Sequence, residues 1–152
     1  MEAKPKPKVG TASDGRLMHY SAGAIIEDEQ GRVLLLDRKY EPFGFAGMAG
    51  HIDEGEDPLT ALMREGHEEV GTELQNVRLV REEELPWNYC RNDGVNRVEV
   101  HYWYLYRATV NSGDVRVDPH EAKRWGFFGR GELPHLVLEP VWKYWLSFGK
   151  YI

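Results

Sequence analysis

Residues 50–72 read GHIDEGEDPLTALMREGHEEVGT, and this stretch decides both the fold and the chemistry expected of the chain. It holds seven acids (Asp53, Glu54, Glu56, Asp57, Glu65, Glu68 and Glu69) and one base, Arg64, so it alone carries −6. The whole 152-residue chain also carries −6, so everything outside the stretch is balanced. The acidity of this protein is local. The second half of the stretch reads as a helix. Asp57 is a good N-cap, Pro58 suits the first helical position, and Gly71 is placed to end the element. Leu59, Leu62, Met63, Gly66 and Val70 form one apolar stripe. Glu65, Glu68 and Glu69 lie roughly 80° to 180° from the centre of that stripe.

Three carboxylates at i, i+3 and i+4 repel one another, and near a helix C-terminus the dipole disfavours them further. A bound cation relieves both costs. Carboxylate oxygens are hard ligands, which favours Mg²⁺, with Mn²⁺ as a substitute. Without further context, a solvated acidic face is the simpler reading of these residues.

The spacing Gly50-x5-Glu56-x7-Arg64-Glu65-x2-Glu68-Glu69-x-Gly71 resembles the Nudix box of the Nudix hydrolases, and all seven fixed positions match. Three neighbouring positions depart from the common pattern. Ala49 stands where many members have a second Gly, and Gly66 and Thr72 stand at usually aliphatic positions. Gly66 is also costly on physical grounds, about 1 kcal/mol relative to Ala inside a helix. It suggests close approach of the helix to another backbone segment.

The resemblance implies an α/β fold: a single-domain α/β/α sandwich with a mixed β-sheet. It implies hydrolysis of a diphosphate bond in a nucleotide. A nucleoside triphosphate giving monophosphate and pyrophosphate is the first expectation, and ADP-ribose or another nucleoside-diphosphate-X compound is the alternative. Carried over by position, Glu68, Glu69 and the Ala49 carbonyl are metal ligands. Glu65 is a ligand, a general base, or both. Arg64 and Glu56 form a pair holding loop to helix, with Gly50 and Gly71 as structural positions. Glu121, in a late loop, is the candidate for an additional catalytic carboxylate. A non-catalytic nucleotide-sensing module on the same fold predicts erosion of the box glutamates, and none is lost. A purely acidic Ca²⁺-binding surface has no need of Arg64 or the glycine spacing.

Working outward, Tyr20–Glu27 and Val33–Arg38 are apolar, β-rich runs joined by the turn Asp28–Arg32. A Gly-rich stretch comes next. Val77–Glu84 reads as a strand. Leu85–Gly94 reads as a loop with the turn Asn92-Asp93-Gly94, and Val98–Val110 as the strongest strand, with Val100, Tyr102, Tyr104 and Tyr106 on one face. Trp125–Phe128 is a short strand and Pro140–Phe148 a helix. The Lys-Pro-rich residues 1–18 read as a flexible tail and 19–152 as the domain.

Trp87, Tyr89, Trp103, Phe45 and Phe127 invite a base-stacking role, with core packing the simpler reading for Phe127. Phe45, Trp87 and Trp103 are retained as substrate-binding candidates. Trp103 either lines the pocket or contacts a second copy in a homodimer. Arg38 is placed to touch a phosphate or to end a strand as an exposed charge. His51, His101, His120 and His135 lack a zinc-type spacing and have no Cys pair beside them, so they read as non-ligands; His101 keeps a pocket-lining option. His67 reads as surface.

The acidic balance disfavours duplex DNA as a partner and leaves a small nucleotide, or a phosphorylated RNA end, as the substrate. Cys90 is the only cysteine, which excludes an intrachain disulfide. No apolar run is long enough to span a bilayer, and the N-terminus has no apolar core of a signal peptide. The expectation is a cytoplasmic protein with no membrane association.

Overall fold

The hub of the fold is β2 (Leu17–Glu27), which pairs with four other strands. The structure is a computed structural model that describes residues 6–90 and 98–152. The expected Asn92-Asp93-Gly94 turn lies outside the described residues. Among the described residues the elements run β1 (Val9–Thr11), β2, β3 (Val33–Arg38), β4 (Phe45–Ala46), β5 (Met48–His51), α1 (Pro58–Glu65), β6 (Gln75–Leu85), β7 (Val100–Thr109), β8 (Ala122–Phe128) and α2 (Pro140–Phe148). The eight strands form one mixed sheet. Its main path is β4-β3-β2-β7-β6, with β1 and β5 also on β2 and β8 on β3.

The β2–β7 pairing is parallel, and the other pairings are antiparallel. A parallel pair needs cover on both faces, and both strands read accordingly. One face carries Ala22, Ala24, Ile26, Tyr106 and Ala108 and packs with Ala61, Leu62 and Val70 of the box helix. The other carries Ile25, Trp103 and Leu105 and packs with Val141, Trp142, Trp145 and Leu146 of α2. This is the expected α/β/α sandwich. The single-face alternation expected for β7 is too simple, because residues between its face-one positions are also buried.

The turn Asp28–Arg32 forms as expected. The Asp28 carboxylate accepts from the backbone N–H groups of Gln30 and Arg32, and Gly31 takes a positive φ of 75°. Residues 6–18, expected as a tail, are not structureless in their described part. Val9–Thr11 pairs antiparallel with Leu17–His19, and Lys8 N–H donates to the Ile52 carbonyl.

Asp57 caps α1 through a 2.8 Å bond from Thr60 N–H. From Gly66 to Val70 the helix then widens into a π turn, closed by Gly71 N–H donating to the Gly66 carbonyl at 3.1 Å. Gly71 adopts φ 75°, a left-handed conformation that glycine takes without strain. The expected uniform α-helix is therefore corrected, and so is its stripe. Leu59 is 48% exposed. The wider i→i+5 turn sets the residues after Gly66 back by a fraction of a turn, so Val70 joins Leu62 in the core. Gly66 does not approach another backbone segment; its nearest neighbour is the Leu74 side chain.

Candidate active site

The carboxyl groups of the box helix differ in how far they point inward. Glu69 Oε2 is shielded from solvent and has no hydrogen-bond partner among the described residues. The Glu65 side chain is 13% exposed, whereas that of Glu68 is 58% exposed. Burial raises the Glu65 carboxyl to about 7, outweighing the adjacent Arg64 guanidinium. Burial also lifts the Glu69 carboxyl well above the ordinary carboxylate range, with the Glu65 and Glu121 carboxylates adding to the effect. Two acids with raised proton affinity on one wall of a cleft mark a functional site.

Arg64 organises the rest. Its Nε and an Nη donate to the Glu56 carboxylate at 2.8 and 3.0 Å, and an Nη donates to the His51 carbonyl at 3.1 Å. It also reaches Glu65 at 2.8 Å and Glu68 at 3.4 Å. The hydrogen bonds it gives to Glu56 keep Arg64 charged far above any working pH. Glu56 in turn accepts from Asp53 N–H. The loop preceding the helix is thus fastened to the helix by one guanidinium, the arrangement expected for Arg64 and Glu56.

Gly50 is needed for a steric reason. A methyl group at Gly50 would overlap the Glu65 carboxyl, so the absent side chain is the space Glu65 occupies. Ala49 precedes it on β5, and both line the same cavity as Glu65, Glu68, Glu69 and Glu121. This cavity has a volume of about 600 Å³, room for a small nucleotide. A buried carboxylate oxygen without a partner, among further carboxylates, suits a divalent cation: the cation supplies the charge that the site otherwise lacks.

The other expected residues are distributed unevenly. Arg38 lines the cavity, but its Nε donates to the Pro42 carbonyl at 2.7 Å, so it also holds the 40–42 loop that forms part of the wall. Trp103 reaches the wall while only 4% exposed. It packs against Trp142 and Trp145, and this burial leaves it no surface for contact with a second copy. Phe45 is not brought to the cavity. It is 8% exposed and sits in the α2-side core against Phe128. Trp87 is not brought there either; it stands 46% exposed, edge-on to Tyr144. Aromatic type and loop position pointed to both, but strand register and the α2 contact place them elsewhere.

Sequence reading missed two groups. Glu139 is 3% exposed, lines the cavity, and accepts from Val141 N–H at the start of α2. Burial raises its carboxyl to about 7. A carboxyl raised in the folded state adds stability below its unfolded value, and that contribution disappears as pH rises through about 7. Glu139→Gln is therefore expected to flatten the rise in stability between pH 7.5 and 5, and to be more stable than the parent at pH 8 by up to about 3 kcal/mol. Urea unfolding across that range checks it; a parallel pH profile in the two proteins would refute it.

The second missed group contains His51 and His101, whose spacing points to non-ligands. The structure brings them together with His19 and Cys90, with the candidate ligand atoms all within 4.8 Å of one another. No local spacing could reveal this, because the grouping depends on the register of three strands.

The fold agrees with what the chain resembles. A family model described as the NUDIX domain matches residues 17–146. An RNA pyrophosphohydrolase of Gluconacetobacter diazotrophicus is 29% identical over 132 residues, covering 75% of this chain and 78% of that protein. An isopentenyl-diphosphate Delta-isomerase of Clavibacter michiganensis subsp. michiganensis is 27% identical over 149 residues, covering 93% and 74%. Among solved structures, the MutT NUDIX hydrolase from Burkholderia pseudomallei superposes with a TM-score of 0.61 at 28% identity, over 75% of this chain and 84% of that one.

Proposed function

The chain belongs to the Nudix family, and we propose that it hydrolyses a nucleoside triphosphate to the monophosphate and pyrophosphate with Mg²⁺ as the cation. As a Nudix pyrophosphohydrolase it acts on pyrophosphate bonds, and the family generally uses a divalent metal. Among the described residues no helix is long and apolar enough to cross a membrane, and we place the protein in the cytoplasm. The observation that carries the reading is the inward-pointing Glu69 carboxylate with its buried, unpartnered oxygen, on a cavity wall shared with Glu65 and Glu121.

Glu65, Glu68, Glu69 and the Ala49 carbonyl would hold the cation. When bound, it supplies charge neutralisation for the phosphate oxygens and lowers the proton affinity of a coordinated water. The chain's own residues supply the rest. Arg64 keeps the Gly50 loop and the helix in fixed relation. Glu65, beside the cation position, is suited to take the proton from the attacking water. Glu121 adds a carboxylate at the same wall, and Arg38 offers a guanidinium edge to the phosphates. Glu139 and Trp142 line the same cavity.

A triphosphate at the 5′ end of RNA presents the same chemical group, and the RNA pyrophosphohydrolase relative supports it as a second reading. The test is a panel scored for phosphate and pyrophosphate release with Mg²⁺ and with Mn²⁺. It contains the nucleoside triphosphates, 5′-triphosphate RNA, ADP-ribose and a dinucleoside polyphosphate, with isopentenyl diphosphate scored for isomerisation. Pyrophosphate release with highest kcat/KM on a free nucleoside triphosphate is the expected result. Preference for the RNA end, for ADP-ribose, or isomerisation without hydrolysis would each replace this substrate assignment.

A further inference from the structure

We propose that His19, His51, Cys90 and His101 form a second metal site, built for a borderline transition-metal ion of the Zn²⁺ class rather than for Mg²⁺. The donors come from four separate places. His19 and His101 face each other in register on the parallel pair β2–β7. His51 ends β5, where its neighbour across the ladder is Ser21, two residues from His19 on the same face. Cys90 is set beside β7 by a backbone bond from its N–H to the Val98 carbonyl at 3.0 Å. His19 and His101 are 3% and 2% exposed.

Two distances fit a shared ion. His51 Nε2 and His101 Nε2 are 3.4 Å apart, and Cys90 Sγ and His19 Nδ1 are 3.8 Å apart. A tetrahedral zinc with bonds of about 2.0–2.1 Å to nitrogen and about 2.3 Å to sulfur separates two nitrogens by roughly 3.3–3.4 Å and a nitrogen from the sulfur by roughly 3.5–3.6 Å. Neither pair is a good hydrogen bond; the His51–His101 pair matches a ligand edge as it stands, and the Cys90–His19 pair is a few tenths of an ångström longer than one, within a group that closes to 4.8 Å before any ion draws it in.

The orientation of one ring is fixed independently. His101 Nδ1 lies 2.6 Å from the Asn88 carbonyl. A carbonyl oxygen only accepts, so Nδ1 carries the hydrogen, and in the neutral ring Nε2 keeps its lone pair facing His51. Asn88 is itself held, since its Oδ1 accepts from Trp103 Nε1 at 2.7 Å. The chain Trp103–Asn88–His101 is the kind of outer support that orients a ligating imidazole. Three imidazoles and one thiolate are donors that Mg²⁺ does not seek and Zn²⁺ does. Four protein donors also close a tetrahedron, which marks a structural ion. Its effect would be to fasten the Asn88–Cys90 segment, a wall of the nucleotide cavity, to β2, β5 and β7. The bland alternative is a metal-free polar cluster.

The experiment uses the full chain, stripped with chelator and titrated with Co²⁺ as a spectroscopic stand-in, in the presence of excess Mg²⁺. Expected are one equivalent bound, intense visible bands of a tetrahedral ion, and a near-ultraviolet thiolate charge-transfer band. Zn²⁺ should then abolish these bands. The charge-transfer band should vanish in Cys90→Ser, and the bands should persist in Glu69→Gln. Circular dichroism confirms that each variant is folded. No charge-transfer band in the parent protein would overturn the proposal. So would bands that survive Cys90→Ser but disappear in Glu69→Gln, because the ion would then belong to the box glutamates.

Discussion

Glu69→Gln is expected to lower kcat by on the order of a thousandfold while leaving the far-ultraviolet circular dichroism unchanged and unfolding still cooperative. The carboxylate points inward, and its buried oxygen has no hydrogen-bond partner among the described residues. A neutral amide of the same shape fills the same space but donates where a cation must be held. Losing several kcal/mol of charge stabilisation corresponds to that factor in rate. The fold should survive, and stability should rise, since burying an amide costs less than burying a carboxylate crowded by Glu65 and Glu121. A stable variant with near-parental turnover would remove Glu69 from the site.

Gly50→Ala is expected to cost nearly as much activity through a different cause. The added methyl group overlaps the Glu65 carboxyl, so Glu65 must move. Its displacement also breaks the 2.8 Å contact with Arg64, the residue that ties loop to helix. A shift of a catalytic group by about 1 Å can cost on the order of a hundredfold in rate. Because the clash is with a side chain on the cavity wall, the loss should fall mainly on kcat, with a Tm within a few degrees of the parent. Equal activity in Gly50→Ala would mean that the position of Glu65 does not matter to the reaction.

The range of each interaction governs whether the sequence disclosed it. The box is local. Asp57, Pro58 and Gly71 bound the helix by capping chemistry that acts over three or four residues, and the Glu56–Arg64 pair spans eight. These features were readable without the fold. The π turn was not, because a widened turn keeps the same residues and only changes which of them face the sheet. Across that turn the Glu69 carboxyl lies inward while Glu68, one residue before it, is open to solvent. Phe45 and Trp87 were misplaced because an aromatic residue carries the same apolar area into a core as into a binding wall. Which one it joins is set by register and by where α2 lies. The histidines were hidden by range as well. His19 and His101 become neighbours only through the parallel β2–β7 ladder, separated by eighty-two positions in the chain.

A divalent cation held by the box glutamates is proposed to drive cleavage of a pyrophosphate bond in a nucleotide. The decisive measurement is pyrophosphate release from a nucleoside triphosphate by the parent chain and by Glu69→Gln, each with millimolar Mg²⁺ and each with excess EDTA. Rapid release is expected only from the parent with Mg²⁺, with the other three conditions near background. Release from the parent in EDTA at a rate matching that with Mg²⁺ would contradict this role of the cation, as would Mg²⁺-dependent release that Glu69→Gln leaves intact.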